Sequence, residues 1–331
     1  MSKVGRIYLD HAATSPLRPQ ARAAMEEGFA LWANPSSPHA EGRKAKQALE
    51  DARERIKRSL DWGGEVIFTS GASEALSIGL RQAKADRRII SAVEHDAVLR
   101  AAPDAESFSD DTVLDSRTIL AIQHVNSETG TINPVDQMAE TVRPTGTAIL
   151  SDCSQSAAKL ALPAADMLVI SAHKFGGPIG VGALLVRDFN LLDPIGGHER
   201  GYRQGTENLP GAMGMAAALE AGDWQTTADQ RAEFANGLAE HSLTIGEQVD
   251  YNFALTHPTL SAQALLIRLD AQGFAVSAGS ACSSGTLKKS RVLDAFGVTD
   301  DVAARTIRVS LGWNTTQEDL ARFAEAWRSL I

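Results

Sequence analysis

Met167-Leu-Val-Ile-Ser171 runs without a charged residue into Ala172-His173-Lys174, and then into the glycine-rich turn Phe175-Gly-Gly-Pro-Ile-Gly180. Consecutive apolar positions, rather than alternating ones, mark a strand buried on both faces of a mainly parallel sheet. The carboxyl end of such a strand is where an open α/β sheet presents its reactive groups, and lysine is rarely drawn inside without a partner or a task. Five other short runs share the character: Glu65–Thr69, Arg88–Ala92, Thr118–Gln123, Thr147–Ser151 and Gly182–Val186. Helical stretches separate several of them, so the expected fold class is α/β, a doubly wound domain with its chemistry at the strand ends.

The helices carry their own signals. Ala48, Ala52, Ile56 and Leu60 form one apolar stripe along the charged segment Glu41–Leu60. Pro19 and Pro210 are placed to open two further helices, and Thr315 with Glu318 has the spacing of a capping box ahead of a terminal amphipathic helix. From about Gln230 the pattern becomes a helix, short strands and a last helix, a smaller α/β domain. Leu99–Ser116 is polar and reads as a surface connection.

At 331 residues the chain exceeds one comfortable core, and one large domain with a smaller one is expected. The net charge of −9 and the lack of a Lys/Arg stripe argue against nucleic acid or an anionic membrane as partner. No apolar run approaches the roughly 18 residues of a membrane span, and the first ten residues lack a signal-peptide core. Two cysteines, Cys153 and Cys282, suit a reducing compartment, so the expected location is cytoplasmic, and no metal site is read.

The residues that follow the strands are chemically coherent. Glu65–Thr69 delivers Ser70-Gly-Ala72-Ser73, whose hydroxyls and exposed N–H groups at a helix start suit a phosphate. Arg88–Ala92 leads to His95, an imidazole at the same edge. Thr118–Gln123 leads to Asn126, an amide. Thr147–Ser151 leads to Asp152, a carboxylate able to keep a pyridine nitrogen protonated, with Gln155 three residues on. Lys174 can carry an aldehyde as a Schiff base. Singly, each has an ordinary explanation: Asp152 as a helix N-cap, Ser73 as a capping residue, Lys174 as a turn lysine. Together they fit a phosphorylated aromatic aldehyde.

Ten segments in order resemble the class V, fold-type I pyridoxal 5′-phosphate (PLP) enzymes, and among them the group I cysteine desulfurases. They are Tyr8–Pro16, Asn34–His39, Phe68–Ala75, Glu94–Leu99, His124–Gly130, Ser151–Ser156, Ser171–Leu184, Gly196–Asn208, Ser277–Gly285 and Ile307–Trp313. The resemblance implies a large domain at 14–227 with a seven-stranded, mainly parallel sheet. It implies a small α/β domain from 1–13 and 228–331. It implies Lys174 as the cofactor-linked lysine, His95 as the ring-stacking acid/base, and Asp152 and Gln155 on the ring nitrogen and phenolic oxygen. Ala72, Ser73, Ser171 and His173 are implied phosphate ligands, and Thr206 reaches the phosphate of a neighbouring subunit, hence a homodimer. Asn34, Asn126 and Arg308 match positions that hold the substrate carboxylate.

Cys282 lies in Ser277-Ala-Gly-Ser-Ala-Cys-Ser-Ser-Gly285, small residues that leave a thiol accessible. With Lys174 it implies conversion of L-cysteine to L-alanine, the sulfur passing to Cys282 as a persulfide. From there it goes to a protein acceptor for iron–sulfur cluster assembly or tRNA thiolation. Cys153 reads instead as packing near the cofactor. An aminotransferase or selenocysteine lyase of the same class, or a non-catalytic sulfur-relay scaffold, are the alternatives. The connections Leu99–Ser116 and Arg187–Ile195 look shorter than is usual for the family, Ser73 stands where many relatives carry Thr, and no C-terminal extension for an iron–sulfur scaffold is expected.

Overall fold

The computed structural model describes residues 5–109, 111–278 and 290–331. These fall into two compact units, one from the described residues of 16–124 and 133–222, the other from the described residues of 5–15, 125–132 and 223–331. After β1 (Ile7–Tyr8), the larger unit comprises α1 (Pro19–Ala30), α2 (Ala40–Ser59), β2 (Glu65–Thr69), α3 (Ala72–Arg81), β3 (Arg87–Ile90), α4 (Asp96–Ala101) and β4 (Glu106–Ser107). It continues with β5 (Thr118–Ala121), α5 (Val135–Val142), β6 (Ala148–Asp152), β7 (Met167–Ser171), β8 (Gly182–Val186) and α6 (Leu209–Ala221).

Seven strands pair in the order β2-β8-β7-β6-β5-β3-β4. All neighbours run parallel except β8, which is antiparallel to both β2 and β7. The reason is the length of the connection: a parallel return needs a crossover of about a dozen residues or more, and the lysine turn joining β7 to β8 is too short. Alternate residues of β7 divide between two apolar layers. Leu168 and Ile170 join the helices α1, α2, α5 and α6, while Met167 and Val169 join α3 and α4. Each fully buried Leu, Ile or Val contributes roughly 1.5–3 kcal/mol of transfer free energy, so both faces of this strand stabilise the frame that holds Lys174.

Three strands, at Glu65, Met167 and Gly182, begin and end where the sequence places them. Two apolar runs stop short of the reading: β3 ends at Ile90, not Ala92, and β5 at Ala121, not Gln123. The Gln123 N–H is taken by the Glu94 carboxylate at 2.7 Å, which ends the pairing on the β3 side, while the Ile122 and His124 N–H groups still reach Leu150 O and Asp152 O of β6. The polar stretch after α4 is not wholly a connection, because Glu106–Ser107 forms β4 beside β3.

The second unit contains α7 (Ala228–Gly237), β9 (Asn252–Thr256), α8 (Ala262–Ala271), β10 (Phe274–Ala275), α9 (Arg291–Ala295), α10 (Asp300–Ala303), β11 (Thr306–Ser310) and α11 (Gln317–Arg328). β9 pairs antiparallel with β11, and β1 parallel with β10. Phe234, Phe253, Phe274, Phe323 and Trp327 form its aromatic core. The capping box of α11 is Thr316 with Asp319, one residue beyond the expected Thr315–Glu318 pair. Thr315 is committed elsewhere, its hydroxyl accepting the Gly312 N–H at 2.9 Å. No helix among the described residues is long and apolar enough to cross a membrane.

Candidate active site

β7 ends at Ser171 and the chain turns at once through a single 3-10 turn, Ala172–Lys174. The turn is tied at both ends: Ala172 N–H donates to Val181 O at 3.1 Å, and Gly177 N–H to Ala172 O at 2.9 Å. A Cβ on Gly177 would lie 2.8 Å from the Ala172 Cβ, so only glycine lets the loop fold back this tightly. His173 and Lys174 are half-buried. Burial, reinforced by the Lys174 charge, pushes the His173 pKa down to about 4, leaving a neutral imidazole at pH 7. The same two causes bring Lys159 down to about 7. The Lys174 charge beside them thus weakens the hold of both His173 and Lys159 on a proton.

The adjacent strand end supplies the countercharge. Asp152 closes β6, is buried, and accepts the Ser154 N–H at 2.9 Å. His95 caps α4, its Nδ1 accepting the Ala97 N–H at 3.2 Å, which assigns the proton of the neutral ring to Nε2. Its side chain meets solvent at the rim. The protein mass around it still lowers its pKa; the Asp152 charge opposes that shift and the Lys174 charge adds to it. At the carboxyl edge of the sheet, charge thus links His95 to Asp152 and to Lys174, and His173 to Lys174. Gln155 is buried one turn after Asp152. Between them Cys153 is fully buried, and its thiol pKa is pushed up to about 12, chiefly by burial. It is a packing residue.

β2 leads through Ser70 and Gly71 into α3. Gly71, at φ +149°, is the N-cap and contributes no side-chain hydrogen bond. The N–H groups of the first turn, including those of Ala72 and Ser73, are left for an anion. A Cβ on Gly182 would come within 2.8 Å of Gly71, and Gly182 is the register partner of Ser171. The two small residues bring the α3 N-terminus against the end of the lysine strand. Asn34 and Thr206 are exposed on the same unit.

In the other unit Arg308 is buried on β11. Its Nη2 donates to Asp10 Oδ1 at 2.9 Å and its Nη1 to Ser127 O at 3.0 Å, while Nε has no acceptor among the described residues. A guanidinium oriented by two acceptors and retaining a buried free donor is suited to a carboxylate. Asn126, beside Ser127, is buried. It belongs to this unit, and its Oδ1 accepts the Glu128 and Thr129 N–H groups. Ser277 and Arg308 exchange backbone hydrogen bonds of 3.2 and 2.6 Å, and Ser290 Oγ donates to Glu128 Oε2 at 2.6 Å. Cys282 lies outside the described residues. The Asp10 partner of Arg308 was within reach of the sequence only as part of the Tyr8–Pro16 segment, since the two are 298 positions apart.

The aminotransferase class-V family model matches residues 7–115 and 104–323. A cysteine desulfurase IscS of Dictyoglomus turgidum is 33% identical, covering 95% of this chain and 91% of its own length. A second, cysteine desulfurase IscS 1 of Archaeoglobus fulgidus, is 31% identical over 98% of this chain and 96% of its own. A solved NifS-like protein superposes with a TM-score of 0.86 at 26% identity, covering 98% of this chain and 99% of that one. The family model's matched ranges span the lysine turn, the strand-end Asp152 and the Arg308 strand, and the relatives cover up to 98% of the chain; the chain belongs to the aminotransferase class-V family and, within it, to the cysteine desulfurases.

Proposed function

We propose that this chain binds PLP through Lys174 and desulfurates L-cysteine with Cys282 as the sulfur acceptor. The observation that carries the cofactor reading is the placing of Asp152 at the end of β6 and Lys174 just after the neighbouring β7, with Gly182 letting the N-terminus of α3 lie against the end of that strand. The donor set fits the group. The N–H groups of Ala72 and Ser73 with Ser171 and His173 would hold the phosphate, and Thr206 would reach it from a second subunit of a homodimer. Asp152 would face the ring nitrogen, Gln155 the phenolic oxygen, and His95 the ring. When bound, PLP supplies an electron sink for the charge left as the substrate loses its α-proton.

The protein's own groups supply the rest. A neutral His173 donates a hydrogen bond to phosphate without adding a charge beside Lys174. The Lys174 amine would take the α-proton of the substrate. Arg308, held by Asp10 and Ser127, receives the substrate carboxylate with Asn34 and Asn126. His95 presents Nε2–H for proton delivery. The Cys282 thiolate attacks the substrate sulfur: an S–S bond forms, the C–S bond breaks with its electron pair going to carbon, and a proton completes L-alanine. Cys282 is left as a persulfide for transfer to a nucleophilic acceptor protein serving iron–sulfur assembly or tRNA thiolation. A reactive thiol of this kind suits the reducing cytoplasm.

Borohydride reduction of the purified protein followed by peptide mass mapping tests the cofactor reading. The pyridoxyl mass is expected on the peptide containing Lys174 and absent from Lys174→Ala. A label on another lysine overturns the assignment.

A further inference from the structure

The segment Gly196–Asn208, which contains Thr206, is anchored to the sheet by ion pairs. Glu199 is buried at φ +47°, followed by Arg200 at φ +58°, left-handed conformations that side chains rarely adopt. The Glu199 carboxylate receives Arg53 Nη1 at 2.9 Å, Arg53 Nη2 at 3.0 Å and the Phe68 N–H at 2.7 Å. It closes the open edge of β2, so the segment starts from a fixed point one residue before the strand ends.

Four residues on, Arg203 makes two contacts of a different kind. Its Nε donates to both Glu74 oxygens, at 3.1 and 3.2 Å, and its Nη1 donates to Gly205 O at 3.3 Å. Glu74 belongs to the first turn of α3, where its Oε2 also accepts the Ser70 N–H at 2.5 Å. Burial alone would raise the Glu74 carboxyl, but the Ser70 hydrogen bonds, the Arg203 charge and the Arg203 hydrogen bond together hold it below its usual range. One guanidinium therefore grips the helix turn that carries the Ala72 and Ser73 N–H groups and the carbonyl immediately before Thr206.

We propose that Arg203 is a positioning residue for the cofactor phosphate, fixing through Glu74 the cradle of its own subunit and through Gly205 the Thr206 that serves the neighbouring one. This rests on the reading of a PLP phosphate at α3 with Thr206 supplied across a dimer. Arg203 itself touches no reacting atom. Its loss loosens two phosphate contacts belonging to different active sites, and a lysine, which keeps the charge but not the forked geometry, restores the Glu74 contact and not the Gly205 one.

The test is the rate of PLP release from the holoenzyme into an excess of apo-acceptor protein, followed by loss of the visible band. Wild type, Arg203→Gln, Arg203→Lys, Glu74→Gln and the double variant are compared. Arg203→Gln is expected to release PLP roughly tenfold faster, Arg203→Lys to fall between it and wild type, and the double variant to be no faster than the faster single one. The melting temperature of the apo forms, measured alongside, is expected to stay near wild type. Release at the wild-type rate from Arg203→Gln overturns the inference. Fully additive single effects overturn the Arg203–Glu74 coupling. A wild-type protein that holds no PLP overturns the cofactor reading on which the inference rests, and is told apart by its missing band.

Discussion

The two cysteines should differ in reactivity by an amount that can be worked out. With its thiol pKa near 12, Cys153 is ionised to ~10⁻⁴ at pH 8, whereas an ordinary thiol with pKa about 8.5 is about one-quarter ionised. That is a deficit of roughly 2,000-fold in thiolate, the attacking species. Greater basicity returns part of it, about 40-fold for a Brønsted slope near 0.45. A net deficit of roughly 50-fold remains, and a side chain with 0% exposure adds exclusion of any bulky reagent. In native protein at pH 8, a chromogenic disulfide reagent should find one rapidly reacting thiol, and Cys282→Ser should abolish that phase until denaturant is added. Cys153→Ala should keep the rapid phase and the alanine-forming activity, losing about 1 kcal/mol of stability for the buried sulfur. A rapid phase surviving in Cys282→Ser would show that Cys153 is reachable and refute its assignment to packing.

Arg308→Lys should raise KM for L-cysteine about 10- to 100-fold with a smaller change in kcat, because a point charge replaces a fork oriented by Asp10 and Ser127; an unchanged KM in steady-state assays removes Arg308 from carboxylate binding. His173, with its pKa lowered to about 4, binds its proton less readily folded than unfolded. Its contribution to stability is therefore complete above about pH 6.5 and lost as pH falls toward 4. Urea titrations of the apoprotein should show His173→Gln losing less stability than wild type across that window. Asp319→Ala should cost about 1 kcal/mol and Glu318→Ala less than about 0.5 kcal/mol, since the α11 box uses the former; equal costs in thermal melts would restore the Thr315–Glu318 box.

The strands were legible where burial on both faces wrote unbroken apolar runs, as at Met167–Ser171 and Gly182–Val186. They were misjudged where a side chain intercepts the ladder, as Glu94 does at Gln123. The α11 capping box moved by one because Thr315 and Thr316 both have capping chemistry, and only the fold assigns Thr315 to Gly312. Strand-end residues such as Asp152 and Lys174 could be read because topology gathers them at one edge. The pairs Arg203–Glu74, Arg53–Glu199 and Arg308–Asp10 could not be read from spacing, being 129, 146 and 298 positions apart with no periodic signal linking them.

The central claim is that Lys174 and Cys282 act in one reaction, and a single turnover without any sulfur acceptor tests it most directly. L-Cysteine is mixed with the PLP-loaded protein, alanine is quantified, and the persulfide is located by mass spectrometry. One alanine per active subunit is expected, matched by one additional sulfur on Cys282, with Cys282→Ser keeping its visible PLP band and forming no alanine. Alanine released by Cys282→Ser at the wild-type rate would contradict the account.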